Sequence, residues 1–153
     1  MNVLTIGKIR DGTVIDHIPS GKALEVLKIL GIRRGSREKV SMAMNVESKK
    51  MERKDIVKVE GKFISEEELN RISLIAPEAT INIIENFEIK RKFRVKIPER
   101  VERLIKCPNT NCISNDAKEP AIPEFRVEKL NNEVFAVCMY CGKKVYEIEE
   151  CLL

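Results

Sequence analysis

Five cysteines carry the most definite chemistry in this 153-residue chain, and all lie beyond residue 106: Cys107, Cys112, Cys138, Cys141 and Cys151. The first four form two short pairs, Cys107-x4-Cys112 and Cys138-x2-Cys141, with 25 residues between the pairs. A tight turn inside each pair aims two thiolates inward. Two such turns facing one another make the tetrahedral sulfur set that Zn²⁺ favours, with Zn–S about 2.3 Å. Pro108 and Gly142 flank the pairs and favour those turns. Two disulfides, or simply buried thiols, are the competing readings. The N-terminal segment does not read as a secretory signal, so the expected setting is the cytoplasm, where disulfides are disfavoured. Four protein ligands leave no open coordination position, so the metal is expected to be structural and not catalytic. Cys151 is left over as a spare thiol.

The ionisable residues of the first hundred positions offer a different chemistry. Lys54 and Lys58 are four apart in an alternating stretch, so a strand puts both on one face with Ile56 between them. An anion such as a triphosphate would neutralise such a pair, and Lys92 could add a third cation. Ordinary solvated lysines in a Lys-rich chain would look the same, and spacing alone leaves both readings open. Asp16 and His17 are adjacent, so strand alternation sends their side chains to opposite faces. His17 is the sole histidine. With no second base or nucleophile beside it, it reads more readily as structural than catalytic. No GxxxxGK[ST], GxGxxG or HExxH motif occurs. The expectation is a non-catalytic protein.

These residues need a scaffold. GTVIDHIP (12–19) reads as a strand, SGKALEVLKILGI (20–32) as a helix stopped at Gly31, and 38–46 and 53–63 as two strands. Ser65 and Glu68 make a capping box that opens a helix running toward Pro77. Residues 79–95 read as one long strand, and 3–9 as a short one at the start. The order β, α, β, β, α, β is the ferredoxin-like pattern, an antiparallel sheet with two helices on one face and the other face free to bind a ligand. Pro98 is expected to open a short helix over 98–105. Beyond it come candidate strands at 124–130, 133–138 and 143–148, with a turn at Asn131–Asn132. The predicted class is α+β: a ferredoxin-like domain over 1–98 and a small all-β, zinc-ribbon-like domain over 99–153.

Composition sets the outer limits. Hydrophobic residues make up 43% and charged residues 34%, which describes a folded chain with an aliphatic core. No apolar run reaches the roughly 18–20 residues of a membrane span, so no membrane partner is expected. A net charge of +4 does not demand a nucleic-acid partner. A zinc ribbon that binds nucleic acid is the rival reading. It predicts a basic, aromatic ribbon face, whereas this region carries Glu119, Glu124, Glu128, Glu133, Glu147, Glu149 and Glu150.

GTVIDHIP (12–19), RKDIVKVE (53–60), APEATINIIENFEI (76–89), PERVERLIKCPNTNCIS (98–114) and CMYCGKK (138–144) together resemble the regulatory chain of aspartate carbamoyltransferase, in order and over nearly the whole length. The resemblance implies a non-catalytic subunit that binds CTP or ATP at one site in its N-terminal domain and grips the catalytic chain through its zinc domain. It implies a homodimer of regulatory chains within a dodecamer of six catalytic and six regulatory chains that controls pyrimidine biosynthesis. It leaves open whether Mg²⁺ accompanies the nucleotide. By the same resemblance, Asp16 would hold the ribose hydroxyls, His17 would lie by the phosphates, and Lys92 would be a phosphate ligand. Lys58 would touch the ribose and base edge, and Lys54 would support the site as a cation. Ile6, Lys8 and Ile9 would line the base pocket, with Val14, Asn82, Ile84, Phe87 and Ile89 completing its walls. Asn82 and Ile84 have the opposite strand parity from Phe87 and Ile89, which calls for a bulge or backbone contacts. Asn109, Asn111, Tyr140 and Lys143 are the expected contacts to the catalytic chain. Gly7–Lys8 stands where some family members have an acidic residue and Ala, and Gly142 stands where an acidic residue can follow the last zinc ligand.

Overall fold

The alternating runs around Val14 and Val57 pair as the central strands of an antiparallel sheet. The computed structural model describes residues 9–153 and divides the chain into two compact units, Met1–Lys96 and Ile97–Leu153. In chain order the first unit holds β1 (Gly12–Pro19), α1 (Ala23–Ile29), β2 (Val40–Ser48), β3 (Glu52–Glu60), α2 (Glu66–Ile75), β4 (Thr80–Glu85) and β5 (Glu88–Arg94). Its sheet order is β2-β3-β1-β4-β5, the ferredoxin-like order with one strand added at the edge. The second unit holds β6 (Arg100–Glu102), β7 (Glu124–Leu130), β8 (Glu133–Cys138) and β9 (Lys144–Val145) in one antiparallel sheet, ordered β6-β7-β8-β9. The architecture is therefore α+β. No helix among the described residues is long and apolar enough to cross a membrane.

Local chemistry fixes the helix ends. Gly31, at φ 78°, ends α1: its N–H bonds Lys28 O at 3.1 Å while Ile32 N–H reaches Leu27 O at 3.0 Å. The start of α1 has no local side-chain cap. Instead the fully buried Asp55 of β3 accepts from Gly21 N–H at 2.8 Å and Ala23 N–H at 3.0 Å, and its other oxygen takes Asn45 N–H at 2.9 Å. One carboxylate from the sheet thus caps a helix and pins a neighbouring strand. The capping box at Ser65 and Glu68 forms as expected, and Lys62 Nζ adds an ion pair to Glu68 at 3.0 Å.

Two expectations differ from the structure, and a third falls on residues it does not describe. Residues 79–95 are not one strand but the β4–β5 hairpin, turning at Asn86 and Phe87 with φ of 51° and 66°. Asn accepts the left-handed region readily, but Phe87 gives no such signal in sequence. The turn is held from outside: Phe87 N–H bonds Arg10 O at 2.9 Å and Asn86 N–H bonds Asp11 Oδ1 at 3.1 Å. The short helix expected over 98–105 is replaced by β6, because Val101 pairs across to Phe125 and both are buried. Burying Val101 on a sheet outweighs the weak helical preference of so short a segment. The strand expected at 3–9 lies, except for Ile9, outside the described residues.

Candidate functional site

Cys107, Cys112, Cys138 and Cys141 converge in the second unit, and their sulfur atoms all lie within 4.8 Å of one another. Cys107 Sγ is 3.6 Å from Cys141 Sγ, and Cys112 Sγ is 3.7 Å from Cys138 Sγ. Sulfurs about 2.3 Å from a central Zn²⁺ stand about 3.8 Å apart in a regular tetrahedron, whereas a disulfide needs about 2.05 Å. All five cysteines are free thiols. The donor set and its spacing fit a tetrahedral metal ion and not a disulfide.

The backbone explains how the thiols come together. Cys112 N–H bonds Asn109 O at 3.0 Å, closing the first knuckle. Cys138 ends β8, and Gly142 N–H returns to Cys138 O at 3.0 Å, closing the second. Gly142 does this at φ 77°, where a side chain would be strained. Burial, aided by the neighbouring Cys141 and Cys138, pushes the Cys107 thiol up to about 12. Burial raises Cys141 as well, but the Lys143 N–H and the Asn109 side chain, together with Cys107 and Cys138, outweigh it and bring Cys141 down to about 7. Four thiolates in so small a space require a cation to share. Cys151 is half-buried and is not one of the four. Its carbonyl accepts Lys106 N–H at 2.8 Å, which ties down the chain end.

The first unit carries a cavity of about 90 Å³ on the sheet face opposite the helices, lined by Val14, Asp16, His17, Asn82, Ile84, Ile89 and Lys92. Two bulges shape it, and a third lies beyond β3. In β1 the register against β3 slips between Ile15 and Ile18, and His17 takes φ 58°. Plain alternation would turn Asp16 and His17 to opposite faces; the bulge turns both toward the cavity. In β5 the register against β4 slips between Ile83 and Ile84, so Ile84 faces Ile89 while Asn82 faces Lys92. That slip reconciles the opposite parities of Asn82/Ile84 and Ile89. The third bulge, in β2 at Asn45, lies on the other side of β3 at the same level, where Asp55 holds it.

The lysine pair differs from the spacing argument. Lys54 and Lys58 do share the face of Ile56, but they are not an open cationic pair. Both are buried, and Lys54 Nζ already bonds Asp16 Oδ1 at 2.9 Å. The same Asp16 oxygen accepts His17 N–H at 2.6 Å, so Asp16 is fixed from two sides. Burial lowers the Lys58 pKa, with Glu60 opposing. Burial also lowers the His17 pKa from 6.5, against the pull of Asp16 and with the help of Lys54 and Lys50. His17 Nδ1 lies 3.0 Å from Thr80 Oγ1, which orients the ring.

Of the remaining expected residues, Ile9 packs with Val14, Ile56 and Ile84 in an apolar cluster beside the cavity. Phe87 sits exposed at the hairpin tip, outside the lining. Ile6 and Lys8 lie outside the described residues. Sequence reasoning missed Thr80 and Asp55. The signal for Asp55 was present: it stands at the core-facing parity of β3, in line with Val57 and Val59, where a carboxylate must find donors.

Comparison with known proteins agrees with this two-unit arrangement. Residues 4–96 match the family model for the aspartate carbamoyltransferase regulatory chain, allosteric domain, and residues 99–150 match that for the metal-binding domain of the same chain. The aspartate carbamoyltransferase regulatory chain of Archaeoglobus fulgidus is 56% identical over 149 residues, covering 97% of each chain. Those of Caldivirga maquilingensis and Pyrobaculum arsenaticum are 50% and 52% identical, covering 91% and 92% of this chain and 84% and 92% of their own.

Proposed function

This chain belongs to the family of aspartate carbamoyltransferase regulatory chains, non-catalytic subunits with an allosteric and a metal-binding domain, and from that premise we propose that it binds CTP and ATP in its first unit and Zn²⁺ in its second. The observation that carries the nucleotide reading is the meeting of Asp16, His17 and Lys92 with the apolar Val14, Ile84 and Ile89 around one cavity. Apolar walls suit a ring, Asp16 can accept from ribose hydroxyls, and Lys92 and a protonated His17 suit phosphate oxygens. A volume of about 90 Å³ holds a ring and not a whole nucleoside triphosphate. The phosphates therefore extend over the open surface beside His17 and Lys92, where Mg²⁺ can share their charge. Lys54 acts through Asp16, holding its carboxylate toward the ribose, and Lys58 borders the same face.

Cys107, Cys112, Cys138 and Cys141 would hold the zinc. Bound there, the ion supplies cross-linking and charge neutralisation, with no open position for chemistry. The two knuckles so fixed give a rigid surface for the catalytic chain, with Asn109, Asn111, Tyr140 and Lys143 as contacts. Regulatory chains pair and link catalytic trimers into a dodecamer of six catalytic and six regulatory chains. A nucleotide shifts the balance of its quaternary states only by binding one state better than the other. A coupling of about 1–3 kcal/mol suffices to control pyrimidine synthesis. The test is calorimetry with CTP and with ATP. Lys92→Ala is expected to weaken both by about tenfold or more, as loss of a charge-assisted contact does; unchanged affinity for both would remove Lys92 from the site.

A further inference from the structure

The four sulfur atoms differ in what lies around them. Cys107, Cys112 and Cys138 are buried and Cys141 is exposed. Main-chain N–H groups support three of them: Asn109 on Cys107, Tyr140 and Cys141 on Cys138, and Lys143 on Cys141. Two side chains also reach sulfur among the described residues. The Asn109 side chain, across the gap between the knuckles, favours the Cys141 thiolate. Ser114 Oγ lies 3.1 Å from Cys112 Sγ.

Ser114 is held in place for that contact. It stands in a one-turn 3-10 segment, Ile113–Asn115, which follows Cys112 directly. The next residue, Asn115, sends its side-chain amide to Cys107 O at 2.9 Å and to Asn109 O at 2.8 Å. The turn is thereby locked onto the first knuckle, and the Ser114 hydroxyl has little freedom to leave Cys112. A metal-bound thiolate only accepts, so the hydroxyl proton points at sulfur. Such a donor fixes the ligand's rotamer and takes up part of its negative charge. An attacking proton or chelator then meets a less basic and less mobile sulfur.

We infer that Ser114 is a positioning residue of the metal centre, whose hydroxyl donates to Cys112 Sγ and slows release of the metal. The inference rests on the metal reading above. It separates the holding of the ion, which four cysteines perform, from the lifetime of the bound ion, which a fifth side chain lengthens.

The test uses the full chain loaded with Co²⁺, whose thiolate charge-transfer absorption reports the sulfurs directly. Ser114→Thr keeps the hydroxyl, and Ser114→Val has nearly the same shape without it. Release to excess chromophoric chelator is expected at the wild-type rate for Thr and about 10–100-fold faster for Val, with the charge-transfer band displaced for Val alone. Ser114→Ala, which adds no branched carbon, carries the same expectation as Val should Val disturb the turn. Equal rates and spectra for wild type, Val and Ala would overturn the inference while leaving the metal reading intact. Equal acceleration in Thr and Val would also overturn it, because shape and not the hydroxyl would then be the cause. A wild-type chain that takes up no stoichiometric metal would overturn both.

Discussion

In the first unit, β1 and β3 bury Val14, Ile15, Ile18, Ile56, Val57 and Val59, and α2 adds Ile72, Leu74 and Ile75. This apolar core under the helices is large enough to hold the unit together without an ion. The second unit has Phe125, Val127, Phe135, Val137 and Ile148 over four short strands, and its knuckles lie beyond that small core. A domain of this size does not readily hold together by core alone. The charge divides in the same way. The first unit has 20 basic and 14 acidic side chains and the second has 8 and 10, so the surplus of cations lies on the unit proposed to take triphosphates. One chain therefore uses two sources of order. The apolar sheet leaves polar residues free for a ligand, whereas the metal unit commits its most reactive side chains to structure.

Metal removal should break this comparison most visibly. Apparent zinc binding is worth roughly 10–16 kcal/mol in small finger domains. A strong chelator is therefore expected to abolish amide-exchange protection over 97–153 and leave it intact in β1, β3 and β4. Equal loss in both units, or in neither, would deny that they differ in what holds them.

The next largest effect reverses the target. Asp55→Ala strips three N–H groups of their acceptor at the start of α1 and at the β2 bulge. It is expected to cost the first unit about 3 kcal/mol and lower its melting temperature by about 10 °C or more, with metal content unchanged. A melting temperature within a degree or two of wild type would show that water replaces Asp55 without cost.

A smaller effect concerns pH. Because the His17 pKa is lowered from 6.5, the ring is neutral at pH 7 and gains its proton only on acidification. A triphosphate favours the charged ring, so CTP affinity is expected to rise as pH falls from about 7.5 to 6. The phosphates titrate in the same range. The contribution of His17 is therefore the slope that wild type has and His17→Gln lacks. Equal slopes would take His17 away from the phosphates.

Much of this was legible in the residues themselves. Cysteine spacing marks the four thiols because knuckle turns are local, and Ser65 with Glu68 marks α2 because a capping box is local. β7 and β8 fall at the expected positions because alternation and the Asn131–Asn132 turn agree. What was not legible depends on distant partners. The left-handed His17 exists because β1 must bulge against β3. The Asn86–Phe87 turn is held by residues 10 and 11. β6 forms only because Val101 finds Phe125, and the Lys54–Asp16 ion pair joins two strands across a bulge. Ser114 looks like any loop serine until the fold brings its hydroxyl to sulfur.

The most direct test of the central claim mixes this chain with aspartate carbamoyltransferase catalytic trimers and measures particle mass with and without a chelator. A metal-dependent rise to a particle containing both chains is expected, reversed when the metal is withdrawn. Trimers that keep their own mass in the presence of the metal-loaded chain, or a joint particle that survives complete metal removal, would contradict the account.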